Sequence, residues 1–533
     1  MQLTKAPRLS DFAARILDSS SVRTRFLVSV LSNGSRALLS FASGMLVART
    51  LEPAAYGDLS FLLGSFVAFQ TLLDMGTSNA FFTLISQQAR ARSFYLTYFL
   101  WQGIQFLIGT SFVGLLCPPT LLSEIWLGHS RGLVMLAFLA VFTQQQLWSA
   151  VSQIGEGSRQ SVRVQAMNFS IAIVHLIMVG TFMWLRILSI PRVFWLMIIE
   201  YGTAIASSYW FLRPARAEAK TLSVMSYNAI LREYWKYCKP LMLLSVVTFA
   251  YFFADRWMLQ RFGGSVQQGV YQVSAQFAAV ALLATTSILR IFWKEIAEAH
   301  ARQDRAGVQR MHNRASRGLV MVSSSITCLL IPWSGNIVAL FLGSAYAVAG
   351  PVLAIMFLYP VLQTMGQING ATLLASGHTR DYASVAAVFM VVSIPVTYLV
   401  QSPADGWPIR GLGGGALGMA IKMVGLAFVS VNVQAWILAR TNHWKFDWTY
   451  PFVAIGVTLS MAYVARIIAL FFWHVSPTGL LTLLPPFSCC SLLYLLGLAG
   501  FIWYFPRVAG IEQADLRNFM KIVHPLRLWA KAH

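Results

Sequence analysis

Charge is what this chain has least of. Only 11% of its 533 residues are Asp, Glu, Lys or Arg, against about a quarter in a soluble domain. Such a chain cannot cover itself with a wetted surface, which excludes a free-standing globular protein. Cysteine is sparse too. Cys117, Cys238, Cys328, Cys489 and Cys490 are scattered or sit in apolar runs, without metal-binding spacing, and are expected to pack as small hydrophobic groups. There is no phosphate-binding glycine loop with lysine, no HExxH helix and no G-x-S-x-G elbow. The nine histidines are scattered, mostly near loops. No cofactor is implied, and without a nucleotide site any transport has to run on an ion gradient or the membrane potential. The coupling ion itself is left open. A cleavable leader is not expected, because residues 1–25 hold five basic residues but no central apolar core.

What fills the chain is hydrocarbon. Hydrophobic residues make up 57% of it and mean hydropathy is +0.62. Several apolar stretches exceed the roughly 18 residues that mark a spanning helix. They are continuous, not ten-residue alternations, which excludes a transmembrane barrel. The expected class is an all-α polytopic membrane protein with about 14 transmembrane helices. A first bundle, 27–212, takes spans at 27–50, 58–85, 94–116, 131–153, 166–185 and 190–212. A cytoplasmic linker at 213–238 follows. The second bundle, 239–438, takes 239–261, 269–293, 317–340, 350–375, 382–400 and 412–438, and two additional spans lie at 450–472 and 480–504. Pro118, Pro119, Pro351, Pro403, Pro408, Pro451, Pro485 and Pro486 fall near proposed ends, as suits a poor helix-interior residue.

The net charge of +21 reads as topology and not as a nucleic-acid footprint. Of the 40 Lys and Arg residues, 30 fall on segments of one face and 7 on the other, with Arg36, Lys422 and Arg466 inside spans. The basic face is expected to be cytoplasmic, with both termini there. Residues 1–26 read as an amphipathic helix lying on that leaflet, and 505–533 as a basic cytoplasmic tail along the membrane surface. A faint echo joins the halves: Arg49 precedes Gly57 by eight residues, and Arg261 precedes Gly269 by eight. That suits two related bundles of the kind transporters use.

Ionisable groups deep in a bilayer are costly, so each is a candidate for function. Arg36 lies near the middle of span 1 on a stripe with Ser29, Asn33, Ser40 and Ser43, a spacing that places all five on one helical face. Such a stripe lines a cavity, or else Arg36 satisfies a buried carboxylate or carbonyls. Lys422 lies near the middle of span 12 among Gly415, Gly418 and Gly425, which suits either a lumenal cation or a packed helix interface. Glu200 sits mid-span with Thr203 and Ser207 on its face; pairing with Arg36 or Lys422 and proton binding both remain open. Asp74 reads as a structural cap or ion pair, Arg466 as an interfacial anchor, and Asp255 with Arg256 as charges near the outer end of span 7. Gln144, Gln145 and Gln146 with Ser149, and Gln363 with Gln367, add polar faces that bind sugars or glue helices together.

Three segments carry a resemblance. Arg49-Thr-Leu-Glu-Pro-Ala-Ala-Tyr-Gly-Asp resembles the R-x-L-G-P-x-x-Y-G link between the first two helices of polysaccharide flippases, with Glu52 where glycine is usual. Leu72-Leu-Asp-Met-Gly resembles their L-x-D-x-G helix end, and Ala254-Asp-Arg-Trp-Met-Leu followed by Gly269-Val-Tyr their D-R-x-x-L … G-x-Y segment. With the span count, the resemblance covers most of the chain and points to the Wzx-type members of the multidrug/oligosaccharidyl-lipid/polysaccharide exporter superfamily. It implies two bundles around a central cavity in a bacterial inner membrane. The implied substrate is an undecaprenyl-diphosphate-linked oligosaccharide, carried by alternating access to the periplasmic leaflet. The implied partners are the lipid bilayer, a polysaccharide polymerase and glycosyltransferases, and not nucleic acid. In that setting Arg36 and Lys422 would neutralise the diphosphate, Arg49 and Arg256 would receive it near the outer face, and the glutamines and serines would contact sugars. Two competing expectations are a cation-coupled small-molecule antiporter of the multidrug type and a membrane enzyme or scaffold of glycan synthesis. A carboxylate-dominated cavity would mark the first. Short outer loops speak against the enzyme.

Overall fold

The computed structural model describes residues 22–212, 226–405, 410–445, 447, 449–473 and 479–511. The amphipathic helix expected before residue 22, part of the expected linker and the tail beyond 511 lie outside them. All regular structure among the described residues is helical. In chain order the helices are α1 (Val22–Asp74), α2 (Thr77–Gln87), α3 (Arg92–Ser111), α4 (Pro119–Ile125), α5 (Arg131–Phe142), α6 (Ser149–Gly157), α7 (Ser161–Trp184), α8 (Ile190–Phe211) and α9 (Tyr227–Met258). They continue with α10 (Gly264–Ala301), α11 (Arg305–Leu330), α12 (Ser334–Leu342), α13 (Ala349–Met356), α14 (Tyr359–Ala375), α15 (Thr379–Gln401), α16 (Gly415–Asn442), α17 (Tyr450–Phe472) and α18 (Leu480–Tyr504).

Eleven helical stretches among the described residues are long and apolar enough to cross a membrane, against the fourteen spans expected. Two expected pairs run together because a kink and not a loop joins them. Asn33–Asp74 is 42 residues long, about 63 Å at 1.5 Å per residue, roughly twice the hydrocarbon thickness. It breaks at Glu52, whose φ of 61° and ψ of 170° leave the helical region. Tyr227–Leu282 is 56 residues long and breaks at a π-helical turn, Leu259–Gly263, followed by Gly264 at φ 80°. The expected span at 190–212 forms α8 but is not among the eleven. The expected second span ends early, at Met75 and Gly76, both with positive φ. There the Asp74 carboxylate caps α2, accepting from the Ser78 amide at 3.0 Å, Ser78 Oγ at 2.7 Å and Thr77 Oγ1 at 2.8 Å.

Contacts divide the chain into two compact units, residues 1–269 with 397–413 and residues 270–396 with 414–533. In the first, α1 packs along α7 and α9, and α5 packs against α1 and α8. Helix α9 also touches α2 and α3 there. A stack of rings fills that corner, Phe81 on Tyr98 at 3.9 Å and Phe94 on Tyr234 at 5.2 Å. In the second unit α14 packs on α16, α17 on α18, and α11 on both α14 and α17. Of the five cysteines four are buried and Cys489 is half-buried; none is disulfide-bonded. Large apolar side chains such as Leu107, Leu115, Ile177, Phe471 and Leu481 point outward, as lipid-facing helices require.

One crossing in the first unit is closer than any side chain would allow. A Cβ built on Gly57 falls 1.8 Å from the Ser265 carbonyl oxygen, and one on Gly269 falls 2.1 Å from that of Pro53. The two glycines that echo each other in sequence are the two faces of one contact. Beside it, the Asp58 carboxylate accepts from Gln260 Nε2 at 2.8 Å and from Ser265 Oγ at 2.5 Å, with His129 Nε2 at 3.6 Å. At another corner of the unit Arg90 donates to both Glu233 oxygens at 2.9 and 2.8 Å, and its Nε to the Leu84 carbonyl at 3.1 Å. Its guanidinium also lies over the Phe94 ring at 4.9 Å. The Arg90 side chain is 2% exposed and that of Glu233 30%.

These contacts predict three outcomes, read by thermal unfolding of the detergent-purified protein. Gly57→Ala or Gly269→Ala forces backbones apart and should cost about 3 kcal/mol, the upper range for overpacking. Glu52→Gly relieves a conformation that costs a residue with a side chain about 1–3 kcal/mol and should raise the melting temperature. Glu233→Ala strands a buried guanidinium and should cost about 3 kcal/mol; an unchanged melting temperature would show that Arg90 needs no carboxylate.

Candidate functional site

In the first unit the expected stripe lies on α1. Arg36 and Ser40 are exposed, Asn33 is half-buried, and Ser43 is buried with its Oγ donating to the Ser40 carbonyl at 3.0 Å; the side chain of Ser29 lies outside those described. The Arg36 charge is felt at the Glu156 carboxyl of α6 and at the Tyr201 hydroxyl of α8. Tyr201 accepts a hydrogen bond from Gln144 Nε2 at 2.8 Å.

Glu200 is paired with neither cation that the sequence suggested. It is buried, and its Oε2 lies 2.8 Å from His175 Nδ1 of α7. A glutamate in hydrocarbon needs a partner, and a histidine one helix away supplies it. Nothing in the spacing of Glu200 points to His175, since they sit 25 residues apart on neighbouring helices.

Residues Thr143–Trp148 form a π-helical turn, which changes the register of the glutamine run. Gln144 turns toward Tyr201, Gln146 is buried, and Gln145 is exposed. The run is therefore split between three directions, and Gln144 and Gln146 are its inward members.

Near the kink, Arg49 is exposed and Thr50 Oγ1 donates to the Leu46 carbonyl. Asp255 is buried and accepts from Thr397 Oγ1 at 2.6 Å. Arg256 lies across α1: its Nη1 is 3.4 Å from the Gly64 carbonyl, and a Cβ on Gly64 would fall 2.1 Å from its Nε. Gly64 thus makes room for Arg256 against the helix. Other segments assigned to the same outer face meet nearby, with Trp257 Nε1 on the Glu124 carbonyl at 3.1 Å and Arg131 on those of Gly114 and Cys117 at 2.8 and 2.7 Å.

In the second unit Lys422 is 4% exposed on α16, with Nζ 3.8 Å from the Met423 sulfur. Gln363 and Gln367, one turn apart on α14, both border a pocket of about 170 Å³. Arg466 donates to the Pro332 carbonyl and stacks over Trp333 at 5.1 Å, which makes it a packing residue between α17 and the turn before α12. Arg317 holds the Asp447 carboxylate and the Arg507 carbonyl, each at 3.1 Å, and lies over the Tyr450 ring at 5.3 Å.

Sequence reasoning did not find Asp58, Arg90 or His175, whose partners are remote in the chain, nor Gln434. Asp58 alone had a signal, being next to the motif glycine. Among the described residues no three His, Cys, Asp or Glu side chains gather as metal ligands would. Arg36 and Lys422 belong to different units.

Residues 22–292 match the family model described as polysaccharide biosynthesis protein. No curated protein matches the chain. Among solved structures, the chain is similar to the lipid II flippase MurJ in an inward closed conformation, at 14% identity and a TM-score of 0.66, covering 90% of this chain and 99% of that one. It is also similar to a MOP superfamily transporter from Pyrococcus furiosus, at 15% identity and a TM-score of 0.51, covering 80% and 97%. An inward-facing multidrug resistance MATE family transporter of the same superfamily follows at 13% identity and 0.51, covering 80% and 97%. At these identities the likeness concerns the fold. The chain is a multi-pass membrane protein and belongs to the family described as polysaccharide biosynthesis protein.

Proposed function

We propose that the protein carries a lipid-diphosphate-linked oligosaccharide from the cytoplasmic to the periplasmic leaflet of a bacterial inner membrane, by alternating access. The observation that carries the reading is the polar stripe of α1, with an exposed Arg36 in the middle of an apolar helix. A base placed there in hydrocarbon is costly, and a diphosphate is the ligand whose charge would offset the cost. Glu200 does not neutralise it, being held by His175. Lys422, buried on α16 of the second unit, is a separate candidate cation. Physically the task needs no chemical step. A diphosphate and its hydrophilic glycan cannot cross hydrocarbon unaided, whereas the polyprenyl tail can remain in the bilayer throughout. The family to which the chain belongs, and the flippase and transporter fold, support carriage over catalysis.

Proteoliposomes loaded with an undecaprenyl-diphosphate-linked saccharide test the reading, with an outer-leaflet reagent reporting movement. Arg36→Ala and Lys422→Met should each slow movement at least tenfold with wild-type protein abundance, and Arg36→Gln should behave as Arg36→Ala because charge and not length matters. Wild-type rates in both the Arg36 and Lys422 variants would remove both proposed anion-binding residues.

A further inference from the structure

The pocket in the second unit has a chemistry unlike that of the cationic residues. Helices α14, α15 and α16 enclose about 170 Å³, below the roughly 300 Å³ at which pockets for drug-sized ligands begin. There is room for a single ring. Three amide side chains, Gln363, Gln367 and Gln434, face it together with Ser430 and Tyr382, and no residue of its lining is charged. Polar walls of this kind are unfavourable against lipid tails, where each unmet donor or acceptor costs free energy.

Gln434 decides what the walls are for. Its side chain is 8% exposed, and its Oε1 has no hydrogen-bond partner. Leaving a buried acceptor unmet costs about 1–3 kcal/mol, a penalty that a ligand's donor would remove. Gly366 keeps a side chain from the facing wall: a Cβ there would stand 3.9 Å from Gln434 Oε1 and 3.2 Å from Val431. The Gln363 amide is already engaged with the Tyr359 hydroxyl, so Gln367 and Gln434 are the two amides that a guest would meet. Between them they offer both N–H donors and carbonyl acceptors, and Tyr382 offers a ring for an apolar face.

We propose that this pocket holds one uncharged sugar residue, its hydroxyl or acetamido groups donating to Gln434 Oε1 and accepting from the Gln367 amide. The inference rests on the reading of the protein as a glycan-lipid carrier and makes the second unit its reader of sugar identity. A carboxylate or phosphate entering these neutral walls would lose its hydration uncompensated, so charged sugars and the diphosphate itself are excluded from the pocket.

The test uses the full chain in nanodiscs and saturation-transfer NMR with free N-acetylglucosamine, galactose and glucuronate. At least one uncharged sugar should give signal with wild-type protein, reduced at least fivefold in both Gln434→Leu and Gln367→Leu, while glucuronate gives none. Gln434→Leu is nearly isosteric and removes an unmet buried acceptor, so its melting temperature should hold or rise, which separates lost binding from lost folding. Equal signal in wild type and both variants, glucuronate signal that depends on Gln434, or no uncharged-sugar signal in wild type would overturn the proposal. Sugar binding through Gln434 in a protein that moves no lipid-linked saccharide would uphold the pocket and defeat the carrier reading. Movement at wild-type rate by Gln434→Leu, with no sugar signal, would do the reverse.

Discussion

Two backbones touch at Gly57 and Gly269, and the arrangement of the first unit follows from that contact. Lipid offers helices no hydrophobic gain for associating, so their packing depends on close van der Waals approach and on hydrogen bonds. Glycine on both sides brings carbonyl oxygens where methyl groups would otherwise stand. The Asp58 carboxylate next to it then collects donors from Gln260 and Ser265 across the crossing. Farther along the same helix, Gly64 leaves a trough for the Arg256 guanidinium. Small residues thus set the backbone distance first, and charged ones are fitted to it afterwards.

Charges within the apolar bulk are met in different ways, and the difference separates scaffold from site. Arg90, Asp255 and Glu200 each have a named side-chain partner at 2.9 Å or less. Each is held by a side chain of the fold itself. Arg36, by contrast, is exposed on a polar face, and its influence on Glu156 and Tyr201 is electrostatic. Lys422 is buried with its ammonium near a thioether. An anion arriving at Arg36 would meet an exposed cation, whereas one arriving at Arg90 would have to displace a carboxylate.

Much of the fold was readable because membrane helices announce themselves by length and hydropathy, and glycine and arginine mark their ends. Continuity was not readable. A kink at Glu52 and a π-helical turn before Gly264 join expected spans without a loop, and neither leaves a mark in hydropathy. Candidate site residues could be picked from the sequence only where a residue was odd in itself, as with Arg36 and Lys422. They were unreadable where meaning lies in pairing: Arg90 finds Glu233 across 143 residues, and Gln434 matters only beside Gly366 and Gln367. At the glutamine run 144–146 a π-helical turn alters the register that a helical wheel assumes.

Glu52 occupies the position where the resembling link carries glycine, yet the backbone there keeps a shape that suits glycine. The bend between the two halves of α1 is therefore kept without the residue that usually makes it. A motif of this kind is a record of dihedral angles, and letters are only its usual spelling. Searches that demand the glycine would overlook chains like this one, while a search for the bend would find them.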